Sequence, residues 1–264
     1  MEVPQISKYS HGRSSTKCDN SWMILRSVGL LALLFSIVRV ADAQIGGKDL
    51  PDMSAIRSVF GGADSDSTVT ASAVEAAVAS SVDEKGIASS GINVPDTGAR
   101  GRMASALAEG LGGSMNDPSA TSALNAAFVQ AVAEVESALP QLGFKERDYG
   151  VAFALFFIMN WEIANDVELD PAASKAVAVK LVSAIRAASQ GTDPIPDEQL
   201  DQQYDMFLTV PVAILTLVKS FEANGQEDAA MQIRELSGSA FEQAIGMSPY
   251  DIDITPEVDI LGYW

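Results

Sequence analysis

From Tyr149 to Met159 the chain runs eleven residues without a charge, and the rest of its polar and apolar pattern is arranged around that run. Eleven residues fall short of the about 20 that a membrane-spanning helix needs. They exceed the about 4–8 of a buried strand. Apolar residues on every side mean burial on every side, so Asp148 to Asp166 reads as a central helix inside a bundle. Asp148 is placed to cap its start, accepting a backbone N–H at the positive end of the helix dipole. Asn160, Glu162, Asn165 and Asp166 bring its last turns toward the surface.

Other stretches repeat apolar residues at three- and four-residue steps, the spacing of an amphipathic helix. Two short ones, Ser72 to Val82 and Arg102 to Leu111, are broken up by glycines. Asp117-Pro118, an N-cap followed by a first-turn proline, opens a long one that Pro140 and Gly143 end. Its inward stripe includes Leu124, Phe128, Val132 and Val135, with Glu134 and Glu136 placed outside. Asp170-Pro171 repeats the device for a helix with Ala173, Val177, Leu181 and Ile185 inside. The next starts near Pro196, with Leu200, Tyr204, Phe207, Leu208, Leu215 and Val218 inward, and Pro211 is expected to kink it. Asn224-Gly225 reverses the chain into the last helix, Gln226 to Ile245, where mid-helix Gly238 marks close backbone packing. Beyond it, Asp251, Asp253, Glu257 and Asp259 alternate with Ile252, Ile254, Val258 and Ile260, the pattern of an extended strip with one face on the bundle. Leu261, Tyr263 and Trp264 are expected to dock on the core. The fold class is therefore all-α: a helical bundle of about five helices around a buried central helix, with a flexible N-terminal lead-in and an extended C-terminal tail.

The N-terminal part divides differently. Lys8, Arg13, Lys17 and Arg26 precede an apolar run from Val28 to Val38, and Ala41-Asp42-Ala43 stands before Gln44. This is the order of a secretory signal peptide, cut between Ala43 and Gln44; an uncleaved anchor or a buried helix is the alternative. Met23 would give a shorter, more ordinary leader. The expected organisation is a signal peptide over 1–43, a weakly ordered lead-in over 44–115 and a helical domain over 116–264, in a periplasmic or secreted location. The lead-in is rich in Ser, Ala, Gly and Asp, and Phe60 is its only aromatic. It has little large apolar surface to offset the entropy of ordering, so it is expected to be flexible and to dock on the main domain.

Cleavage changes the chemistry. The only cysteine, Cys18, and the only histidine, His11, lie in the leader. A mature chain from Gln44 has no thiol for a disulfide, no Ser-His-Asp or Cys-His catalysis, and no histidine or thiolate for zinc. The leader holds five Lys/Arg against three Asp/Glu, so its removal takes the formal charge from −18 to −20. Such a surface repels phosphate backbones. It favours basic proteins and neutral or cationic ligands. No cofactor is called for, no nucleic-acid partner, and no membrane span after cleavage.

Three acidic patterns bear on metal binding. Asp64, Asp66, Thr68 and Glu75 match a calcium loop at four positions, but Val69 stands where its glycine must be. Asp197, Asp201 and Asp205 line one helix face and read as a solvated stripe, with a cation or a basic partner as the alternative. Asp251 and Asp253 are too few for a closed oxygen site. No metal ligand set is assigned.

One further pattern is the sequence LPQLGFKERDYGVAFALFFIMNW from Leu139, followed by QLDQQYDMFL and the closing GMSPYDIDITPEVDILGY. It resembles a family of uncharacterised exported bacterial helical domains: an Asp-led apolar helix ending in Trp (Asp148 to Trp161), a Gln-containing helix (Gln203), and a Gly-led tail with a Thr (Gly246, Thr255). The resemblance implies architecture and export, not mechanism. The functional expectation is a non-enzymatic domain of the cell envelope that binds a protein or a small ligand, with Asn160, Trp161, Glu162 and Asn165 as the candidate patch. The alternative is a carboxylate-based hydrolase, for example on glycans, drawing its two acids from Glu162, Asp166, Asp205 and Glu242.

Overall fold

The computed structural model describes residues 80–115, 118–190, 192–252 and 254. The signal-cleavage residues Ala41, Ala43 and Gln44, the calcium-like pattern, most of the helix expected over 72–82 and the chain end from 255 lie outside the described residues. Within the described residues six helices follow in order: α1 (Arg102–Met115), α2 (Pro118–Ala138), α3 (Tyr149–Asn165), α4 (Pro171–Ala188), α5 (Asp197–Ala223) and α6 (Glu227–Ile245), with a 3-10 turn at Pro249–Asp251. Among the described residues there is no strand, only isolated β-bridges.

The central helix is as the pattern requires. Asp148 accepts from the backbone N–H of Val151 and caps α3, and Asp166 ends it in a left-handed turn at φ 53°. Phe153, Phe156 and Phe157 are buried, and α3 packs on α4, α5 and α6. It shares the centre with α5, however. From Met206 to Ile214 α5 is buried at every position, Pro211 included. Ten uncharged residues, Met206 to Leu215, carry that second centre, yet they read in sequence as one side of an amphipathic helix. Phe207 lies between the two rods, with ring centroids 5.3–5.6 Å from Tyr149, Phe153 and Phe156. Among the described residues α5 alone is long and apolar enough to cross a membrane by length and composition. Here it packs against α1, α2, α3 and α6.

Two expectations need correction. Glu136 is buried, not solvated: it extends the line Phe128–Val132 by one more turn and meets partners there. And the weak order expected of 44–115 does not extend to its described part. Met103, Ala104, Leu107 and Ala108 of α1 are core residues, and the strap before α1, residues 80–101, lies along 143–149. Ala88 N–H donates to Gly143 O, Lys145 N–H to Ala88 O, Tyr149 N–H to Ile92 O and Val94 N–H to Arg147 O. Counting large apolar side chains missed this, because backbone hydrogen bonds and carboxylates, not aromatics, order the strap.

Candidate functional site

The backbone of the strap is held by three acids from elsewhere in the chain. Asp148, 0% exposed, accepts five hydrogen bonds. They come from Ser89 Oγ (2.7 Å), Ser90 N and Oγ (3.1 and 2.7 Å), Gly91 N (3.2 Å) and Val151 N (3.1 Å). One carboxylate thus caps α3 and fixes the turn at 89–91. Gly150 makes room for it: a Cβ there would lie 2.5 Å from Ser90 Cβ.

One face of α5 supplies the other two. Asp201 Oδ2 accepts from Thr97 N and Oγ1 (both 2.8 Å) and from Ala99 N (3.1 Å). Its Oδ1 pairs with Arg147 at 2.7 Å. Asp205, one turn on, accepts from Gly101 N and Met103 N, each at 2.9 Å, and from Thr209 Oγ1 at 3.4 Å. Gly101 and Met103 stand at the start of α1, whose first N–H groups have no partner within the helix. Asp205 therefore caps α1 from another helix. Arg147, at φ 49°, also donates to Val94 O (3.0 Å) and Pro95 O (2.5 Å) and lies 5.3 Å over the Tyr204 ring. So the expected solvated stripe is buried at two of its three acids, 1% exposed at Asp201 and 5% at Asp205. A guanidinium and backbone N–H groups answer them. Asp197 alone of the three stays exposed.

These groups surround a recess of only about 10 Å³ lined by Arg100, Val132, Glu136, Arg147, Asp201, Tyr204, Asp205 and Leu208. That is room for about one water molecule, far below the volume of a ligand pocket. The wall is internally paired: Glu136 meets Arg100 on one oxygen and the Tyr204 hydroxyl (3.1 Å) on the other. Burial raises the pKa of Asp201, but the hydrogen bonds from Thr97 and Ala99 and the Arg147 guanidinium overcome it, and Asp201 ends below the ordinary carboxylate value. For Asp205 burial wins over the hydrogen bonds from Met103, Gly101 and Thr209, the Asp201 charge adds to it, and the group ends above that value. Burial, then the Glu136 charge, push Tyr204 above the usual phenol range. Neighbouring carboxylates shifted in opposite directions mark acid–base pairs in many enzymes. Here both are already engaged in holding the strap.

The patch read from the sequence lies elsewhere, where α3 meets α6 and the tail. Asn160 is fully buried, donating to Phe156 O (2.7 Å) and accepting from Ser237 Oγ (2.8 Å). Trp161 is buried and donates to Ile252 O at 3.1 Å. Asn165 donates to Trp161 O (2.9 Å) and Pro249 O (3.4 Å). Glu162 accepts from Leu169 N at 2.8 Å, and burial outweighs that bond and raises its pKa. The four residues are near neighbours, but their polar atoms tie the tail and the α3–α4 turn to the core. Of the four acids considered for hydrolysis, only Asp205 lines the recess. Asp166 pairs with Arg234 at 2.7 Å, and Glu242 is exposed on α6. Among the described residues no group of three or more His, Cys, Asp or Glu is placed to hold a metal ion.

The strap is part of a shared pattern as well as a shared core. A family model described as a family of unknown function, DUF6683, matches residues 59–257. The chain belongs to this family. No curated protein and no solved structure matches the chain. The DUF6683 match takes in the strap, all six helices and the 3-10 turn, including residues that sequence reasoning assigned to a lead-in. A local signal was present: Asp96-Thr97-Gly98 and Ser89-Ser90-Gly91 are turns rich in N–H and hydroxyl donors, and buried carboxylates need such partners.

Proposed function

We propose that this protein is an exported, non-enzymatic binding domain of the cell envelope, whose partner is a basic protein or a small neutral or cationic ligand. One observation carries the reading: the described acids that are buried together around a recess are occupied in building the fold. Recognition then falls to the outer surface. The whole chain carries a formal charge of −18, and a surface of one sign attracts the opposite one. Export rests on the charged, apolar and small-residue order of 1–43.

The test is chemical crosslinking of the full-length expressed protein in envelope extracts over a salt series. A basic partner should be captured at low ionic strength and progressively lost toward about 0.5 M salt, where screening shortens to a few ångström. The N-terminus of the exported form should be Gln44. Turnover of a panel of glycans, abolished by Asp205→Asn with the fold intact, would replace this reading with the hydrolase.

A further inference from the structure

The recess beside Asp205 has a wall of both hydrogen-bonding senses. An ionised carboxylate offers about four acceptor positions, two on each oxygen. Three oxygens of the wall each take a single donor among the described residues: Asp201 Oδ1 from Arg147, Asp205 Oδ2 from Met103 N–H and Glu136 Oε1 from the Tyr204 hydroxyl. Each keeps one position over, and all three acids are buried. The donor side is incomplete as well. Arg147 gives Nε and Nη2 to Val94 O, Pro95 O and Asp201, and its Nη1 has no acceptor among the described residues. Tyr204, having donated to Glu136, can still accept. Asp205 differs from the other two acids. Glu136 meets Arg100 and Asp201 meets Arg147, whereas no cation pairs with Asp205 among the described residues.

We propose that the recess is a binding site for one water molecule, which accepts from Arg147 and donates to Asp205 and to a second carboxylate of the wall. Size sets the first limit. A space of about 10 Å³ holds one water and nothing larger, and a held water needs about two to four polar partners, which this wall supplies. Sign sets the second. An anion would face three carboxylates and a cation two guanidiniums, whereas water both gives and accepts hydrogen bonds. Bridged in this way, Asp205 gains the link to a positive group that it lacks: the water oxygen turns to the guanidinium and a hydrogen to the carboxylate. The bridge also joins the two anchors on α5 to the turn before α3. Water-mediated bonds of this kind are nearly as favourable in enthalpy as direct ones.

Relaxation dispersion of ¹⁷O-labelled water, measured on the full-length protein in solution, counts the waters held long enough to tumble with it. Val132→Ile adds a methyl group to the wall of the recess and should lower that count by one. A wild type that holds no long-lived water overturns the proposal, and so does an equal count in the two proteins. A high-resolution crystal structure of the full-length protein is the second arm. One peak should stand in the recess at about 2.7–3.2 Å from an Asp205 carboxylate oxygen and from a nitrogen of Arg147. A recess without that peak overturns the proposal. An anomalous peak there after a rubidium soak does so too, by making it a cation site. If Val132→Ile does not fold, the wild-type count and the crystal structure decide.

Discussion

The two ends of the described region are fastened to the bundle by different chemistry. At the N-terminal seam, buried carboxylates on α3's cap and on α5 gather backbone N–H groups of the strap. At the C-terminal seam, neutral amides, a hydroxyl and an indole N–H do the tying, over an apolar contact in which Phe157 and Phe241 have ring centroids 4.8 Å apart. Hydrogen bonds to charged groups contribute about 1.5–3 kcal/mol, roughly twice the neutral ones. A buried charge that loses partners is also far more costly than a buried amide. The first seam is therefore strong and intolerant; the second is weaker and forgiving.

The largest test of that difference is Asp148→Ala. It leaves the Ser90 and Val151 N–H groups and two serine hydroxyls without this acceptor, and Gly91 N–H with Ser89 Oγ alone, and unsatisfied buried donors cost about 1–3 kcal/mol each before relaxation. A loss of at least about 4 kcal/mol in urea unfolding is expected; a loss below about 1 kcal/mol would put the two seams on a par. Next comes Gly150→Ala, where a 2.5 Å approach to Ser90 Cβ forces α3 and the strap apart. Overpacking of this kind costs about 1–3 kcal/mol, and the same scan measures it. At the neutral seam, Asn160→Ala removes a buried amide bonded to Phe156 O and Ser237 Oγ. About 1–2 kcal/mol is expected, with the strap amides keeping their exchange protection. The smallest effect belongs to Gly238→Ala. The new methyl meets the Tyr250 hydroxyl at 3.1 Å, but Tyr250 is an exposed side chain able to move, and alanine gains about 1 kcal/mol of helix propensity. A net change within about 0.5 kcal/mol follows, and a large loss would show the tail to be as rigid as the strap.

Much of the helical frame was legible, because apolar periodicity and caps are local signals. Asp148 capping α3, Asp170 and Pro171 opening α4, and the approach of α6 to Ala164 of α3 at Gly238 all read directly from neighbouring residues. The charged seam was not legible for the opposite reason. Asp201 and Asp205 look like any solvated pair on a helix face until their partners are known, and the backbone N–H groups they hold lie 102–104 residues away. Glu136 misled in the same way, since a glutamate at the end of an apolar line is exposed unless an arginine and a tyrosine meet it. At the candidate patch, Asn160 and Trp161 meet elements distant in sequence, Ser237 and Ile252, which local periodicity does not announce.

The separation between the strap and its acids has a consequence for how the molecule is born. A ribosome delivers the chain in order, so Ser89 to Met103 emerges well before Asp148, and earlier still than Asp201 and Asp205. The strap must wait for its anchors and settles after them. A protease or a chaperone that acts on the nascent chain should find its opening there.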